Sequence, residues 1–259
     1  MAAPPAPVAA LPVRRNTALL AAALAANSAM LQLSAAVASL TLVLVLDVRG
    51  LLGLGPAIVL ASGALAALPA GRAMDRIGRV PVIAYGFFVT AIGSALTALG
   101  AAQEAWFAVV PGFALIGIGA GSVTLSRTAA GDMYPPERRA QGIAWVLFGS
   151  VFGAILGPFV FSPIFAGREL DAEALVAPWL VSSLIALVGV GVVLCVRPDP
   201  KRIAELIAPP RPENVPEPAS APLREIVARP GVETTTWPSR ALAPAAAATT
   251  TTAPASPTA

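Results

Sequence analysis

Apolar residues in this chain do not alternate, nor do they recur every third or fourth position. They run on without interruption. No Asp, Glu, Lys or Arg breaks residues 17–46, 54–70, 82–101, 105–125, 142–165 or 176–196. A stretch of about 18 or more apolar residues is long enough for a helix to cross the hydrocarbon core of a bilayer. Within lipid only helices and closed barrels satisfy every backbone polar group, and runs of this length select the helix. The pattern therefore predicts an all-α membrane protein, a bundle of six transmembrane helices. A basic start (Arg14, Arg15) before an apolar run also describes a signal peptide. The first run is far longer than an h-region of about 7–15 residues, however, and five more follow.

The stretches between the runs are short and charged, and the charge is lopsided. Loops that share a side with the N-terminus hold Arg14, Arg15, Arg72, Arg76, Arg79, Arg127, Arg138, Arg139, Arg197, Lys201 and Arg202, while the opposite loops hold Arg49 and Arg168. An excess of Lys and Arg marks the cytoplasmic side. Eleven against two places both ends of the bundle in the cytoplasm of a multi-pass plasma (inner) membrane protein. Trp106 and Trp179 fall at expected outer ends and Trp145 near an inner one, where an aromatic belt would put them.

Composition changes the picture only by exclusion. Charged residues make up 12% of the chain, about half the roughly 25% usual in soluble domains. With no histidine and a single cysteine, Cys195, the ingredients of a zinc site, a Ser-His-Asp triad and a disulfide framework are missing. No cofactor, metal or enzymatic reaction is expected. The net charge of +3 is spread in twos and threes and forms no aromatic-interleaved patch, so nucleic acid is not an expected partner. The lipid bilayer is.

By these signals residues 1–16 form a cytoplasmic tail and 17–197 the six-helix bundle. Residues 198–231 form a cytoplasmic linker and 232–259 a low-complexity tail. The linker opens on Pro198-Asp-Pro-Lys-Arg-Ile-Ala-Glu-Leu-Ile207, which suits a short surface helix with Asp199 as N-cap and Pro200 at its first position. Ile203, Leu206 and Ile207 would give it an apolar face. The Ala/Thr/Pro tail cannot bury enough apolar surface to offset its ordering entropy and is expected to be disordered.

Between the second and third runs lies Gly71-Arg-Ala-Met-Asp-Arg-Ile-Gly-Arg79, which reads as a tight charged hairpin loop. Gly71 and Gly78 suit close packing or positive φ. Asp75 can accept bonds from free N–H groups at a helix start or pair with an Arg, and Arg76 and Arg79 can anchor the turn. The pattern Gly-x-x-x-Asp-Arg-x-Gly-Arg resembles the signature between helices 2 and 3 of the major facilitator superfamily, although Val80 stands where that family usually has another basic residue. A second loop, residues 127–139, is similar to the family's helix 4–5 connection through Asp132, Pro135, Glu137, Arg138 and Gly142. The fifth run carries Gly149-x3-Gly153-x3-Gly157-Pro158, whose small residues permit close helix approach and whose proline would bend the helix. It resembles the core of the helix 5 motif of the family's antiporters, with Phe161 and Ser162 in place of a glycine pair.

The resemblance implies a transporter of a small organic solute, with Asp75 in a charge network that latches the outward-facing state, and it favours export over import. In the fourth run Phe113 and Ile116 replace the Arg and Gln of proton-coupled drug exporters. No Asp, Glu, Lys or Arg lies within any of the six runs, so a proton relay has no candidate carrier. Asn27 and Gln32 of the first run could face a central cavity or bond between helices. Five residues apart, they project about 140° apart. Cys195 reads as a small apolar filler.

Members of the family have twelve helices in two halves, with substrate bound between them. The resemblance covers the first half, a 3+3 helix repeat, and the central linker to about Arg229. From Glu233 the apolar span expected next is replaced by the low-complexity tract, which is what a reading-frame shift near Val232 would produce. Either a C-terminal half is missing, or six helices self-associate into a homodimer around one pathway, or the chain is a remnant that transports nothing.

Overall fold

The computed structural model describes residues 11–46, 50, 53–165 and 174–207. The outer loops expected around residues 47–53 and 168–173 lie largely outside the described residues, as do the linker beyond residue 207 and the tail. The described chain folds as α1 (Val13–Leu46), α2 (Leu54–Ile77), α3 (Arg79–Ala102), α4 (Trp106–Thr124), α5 (Ser126–Asp132), α6 (Arg139–Phe165), α7 (Val176–Leu194) and α8 (Pro200–Ile207). A turn of 3-10 helix, Pro136–Arg138, precedes α6. Among the described residues six helices are long and apolar enough to cross a membrane, with α4 and α5 making up one of them. The membrane-spanning α-fold is as expected.

Helix ends differ from the expectation where the chain leaves lipid. The residues read as a hairpin loop are mostly helix, since α2 runs through to Ile77 and α3 starts at Arg79. Apolarity marks where the bilayer ends, but Arg, Met, Asp and Ile go on forming helix in water. Only Gly78 breaks it, at φ 106 and ψ 170, a region that residues with a Cβ avoid. Likewise α1 begins four residues early, and residues 127–132 of the second charged loop are helical. The surface helix after residue 199 is present as α8.

α3 is the hub, packed on both α4 and α7, while α1 packs on α6 and α2 on α4. The last two pairings are related by overlaying spans one to three on spans four to six: first-with-fifth becomes fourth-with-second. The 3+3 repeat is visible in which helices touch. Glycines set these contacts. Gly149, Gly153 and Gly157 of α6 lie in turn on Ala21, Ala25 and Ala29 of α1, a three-rung seam of small residues that lets the backbones meet. On α4, Gly112 and Gly119 face α3 while Gly117 and Gly121 face Gly63 and its neighbours on α2. α6 runs unbroken through Pro158 and Pro163.

Polar bonds pin the seams in the apolar interior. Trp179 Nε1 donates to Thr41 Oγ1 at 3.1 Å, and Ser183 Oγ donates to the Ala91 carbonyl at 2.9 Å. Trp179 is fully buried against Phe113, so it is a core residue and not part of an aromatic belt. A helix apolar on every side gives no sign of which face turns inward. Trp106 and Trp145 are both exposed.

Candidate functional site

The charged ends of α1, α2, α3, α5, α7 and α8 gather at one end of the bundle. Arg15 donates to the Cys195 carbonyl at 3.1 Å, and Asn16 Nδ2 to the Pro198 carbonyl at 3.1 Å. These bonds tie the start of α1 to the chain leaving α7. Cys195 is exposed here, at the rim and not in the apolar interior.

Arg79 lies at the centre. Its Nη1 meets Asp75 Oδ1 at 2.7 Å, one helical turn back across the Gly78 break, and its Nε and Nη2 both reach Asp132 Oδ2 at 3.0 Å. One guanidinium thus joins the ends of α2, α3 and α5. Its side chain is 17% exposed and that of Asp132 23%, against 71% for Asp75. The exposed pair is worth at most about 1 kcal/mol; the sheltered one holds the geometry. Of the two roles open to Asp75, the structure shows the pairing with Arg.

Backbone N–H groups at the start of α3 are served instead by Asp199. Its carboxylate accepts from Arg79 N at 3.2 Å, Val80 N at 2.9 Å and Lys201 N at 2.8 Å. A single side chain therefore caps two helices, its own α8 and the distant α3, with a negative charge at both N-terminal ends. Lys201 makes the complementary contact. Its Nζ donates to the Asp75 carbonyl at 2.6 Å and reaches the Arg76 carbonyl at 3.4 Å, covering orphan acceptors at the C-terminal end of α2. The N-cap expected of Asp199 is present, but its second role and that of Lys201 had no local signal, because the partners lie more than a hundred residues away. Val80 joins through its N–H, while its side chain packs against the apolar core.

The remaining sequence-derived positions divide. Gly78 is required twice over, by its φ and because a Cβ would lie 2.8 Å from Asp199 Oδ2. Gly71 sits inside α2 with open space around it, so neither close packing nor positive φ explains it. Arg76, Glu137 and Arg138 are exposed. Gly142 leaves room for the Tyr134 ring, whose hydroxyl bonds Thr17 Oγ1 at 3.1 Å. Asn27 and Gln32 part as their spacing predicts: Gln32 is exposed, whereas Asn27 is 1% exposed and its Oδ1 lacks a hydrogen-bond partner. Among the described residues no group of His, Cys, Asp and Glu is arranged to hold a metal ion.

At the same end of the bundle a cleft of about 780 Å³ opens between α1 and α6, lined by Arg14, Arg138, Trp145 and Phe148 among others. It was not foreseen from sequence.

Comparison with known proteins adds the following. The family model described as Major Facilitator Superfamily matches residues 13–258. The uncharacterised MFS-type transporter YdeG of Bacillus subtilis (strain 168) is 27% identical over 158 residues, covering 60% of this chain and 36% of that protein. The gallate transporter of Pseudomonas putida is 34% identical over 105 residues, 39% of this chain and 23% of that one. The inward-open structure of the xylose transporter XylE from E. coli superposes with a TM-score of 0.61 at 22% identity, covering 75% of this chain and 51% of that structure. The chain thus spans about a quarter to a half of the proteins it matches.

Proposed function

We propose that this chain, which belongs to the major facilitator superfamily, works as a six-helix half of a secondary transporter that moves a small organic solute out of the cell across the plasma membrane. The observation that carries this reading is Asp75. It is oriented by Arg79 yet remains 71% exposed, so it presents a carboxylate at the end of the bundle where a second half would close. In that role the ladder of Asp75, Arg79 and Asp132 is a latch. It holds the inner ends together while the pathway faces outward and releases them when it faces inward, with both chain ends in the cytoplasm. The gallate transporter among the relatives fits a small organic solute. Export is favoured by the resemblance of Gly149, Gly153, Gly157 and Pro158 to the antiporter motif, and Gln32 remains available to line the pathway.

Accumulation of a fluorescent dye in cells with and without the expressed chain tests this. Expression should lower accumulation, and Asp75→Asn should remove most of the difference. Equal accumulation with and without the wild-type chain rejects transport; an unaffected Asp75→Asn variant rejects the latch.

A homodimer is the second reading. The most apolar windows of α2 and α6 are each only 17% buried, against 67% for α3. Two spans with so little protein around them suit a bundle whose faces are covered by another six-helix body, a second copy or a C-terminal half. Crosslinking that rises with protein density in the membrane would support the copy.

A further inference from the structure

The buried apolar residues form two clusters stacked along the bundle, and polar side chains mark where one gives way to the other. On α3 the first cluster reaches Ala91 and the second takes up Ala98, with Ser94 and Thr97 between. On α7 the second holds Leu175 and Trp179 and the first resumes at Ala186, with Ser182 and Ser183 between. On α1 the change falls between Met30 and Leu33, flanked by Asn27 and Ser34. The hydroxyls of this layer are mostly spent. Thr41, Thr90, Thr97, Ser122 and Thr124 each donate to the carbonyl four residues back at 2.8–3.0 Å. Ser94 and Ser182 bond each other at 3.2 Å, and Ser183 bonds the Ala91 carbonyl. Ser34 does neither. Its Oγ and the Oδ1 of Asn27 have no protein partner among the described residues, although the two residues are only 2% and 1% exposed. Two other buried groups share that condition, Asn16 Oδ1 and Ser126 Oγ, but they sit just outside the apolar runs. Asn27 and Ser34 lie deep inside one.

We propose that Asn27 and Ser34 each hold an ordered water inside the bundle, on the face of α1 that packs against its neighbours. Within lipid a polar group without a partner is costly, and no Lys, Arg or His lies in any span to serve as donor. A water can donate to the amide oxygen and both give to and take from the hydroxyl, and it needs only two to four polar partners. A metal ion fits less well. The two residues are seven apart, on one face but about 10 Å along the helix, whereas oxygens that share a cation lie within about 5 Å of one another. In the Ser94–Ser182 pair one hydroxyl hydrogen makes the bond and the other is left over, so the same layer offers a further donor. Met30 is the buried side chain one turn from both groups, at i+3 from Asn27 and i−4 from Ser34.

X-ray radiolysis of the full chain in detergent, read by mass spectrometry, tests the site. Radiolysis splits water where it sits, and the hydroxyl radical oxidises a methionine beside it to the sulfoxide even when bulk solvent is excluded. Met74 and Met133 are the controls. They are as buried as Met30, at 2% and 1% against 2%, and lie nearer bulk water at the charged end. Met30 should oxidise several-fold faster than either. In Asn27→Leu/Ser34→Ala its rate should fall to theirs, and Ser34→Ala alone should give an intermediate rate. A wild-type Met30 that labels no faster than Met74 and Met133 overturns the proposal, as does an excess that survives the double variant. Should Met74 and Met133 also label faster in the double variant, its packing is lost; Ser34→Ala then decides, and an unchanged Met30 rate in it overturns the proposal.

Discussion

Two glycines in one sequence pattern have opposite physical standing. Gly78 holds a backbone conformation closed to other residues, and a methyl there would strike Asp199. Gly71 is an ordinary helical residue with nothing within 4 Å of the methyl it lacks. Gly78→Ala should therefore destabilise the protein by about 1–3 kcal/mol through backbone strain, and by more if Asp199 is pushed off its three N–H donors. Gly71→Ala should be neutral or stabilising by up to about 1 kcal/mol, since alanine is the better helix former. Thermal unfolding of the detergent-solubilised protein reads both; equal losses would show that the break at Gly78 is not strained. The pattern of residues 71–79 was legible in sequence. Which glycine the structure depends on was not, because the decisive neighbour, Asp199, lies 121 positions from Gly78.

At the scale of elements, what sequence revealed and what it hid follow from the solvent. A helix that crosses lipid must be long and largely uncharged, so the number and order of spans could be read from the apolar runs. Lipid also removes the contrast between inner and outer faces, so these runs carry little sign of which side packs. Trp179 was misplaced for that reason, and the cleft beside α1 was invisible. Small residues are the exception. Driven by close packing and not by water, helices in a bilayer meet where side chains are smallest, and Gly149, Gly153 and Gly157 lie where Ala21, Ala25 and Ala29 allow approach. Gly153 is the tightest rung, where a methyl would collide with the Ala25 carbonyl. Gly153→Ala should cost about 1–3 kcal/mol as the seam is forced open. Gly191, on α7, has nothing within 4 Å, and alanine there should cost nothing measurable. If both variants melt alike, the α1–α6 seam is not what holds these helices.

For the whole molecule, every functional assignment rests on one orientation. The ladder of Asp75, Arg79 and Asp132, the double cap of Asp199, and the mouth of the cleft between Arg14 and Arg138 all sit at the end that gathers the basic residues. We propose from the asymmetry of Lys and Arg that this end is cytoplasmic. The chain carries its own reporter, since Cys195 is its single cysteine and is exposed at the same end, its carbonyl accepting from Arg15. A membrane-impermeant maleimide should leave it unlabelled in intact cells and label it in inverted vesicles, with Cys195→Ser as the blank. The opposite result would turn the bundle over. The Asp75 latch would then close the outer mouth. Labelling on one side only therefore decides which conformation the ladder of α2, α3 and α5 stabilises.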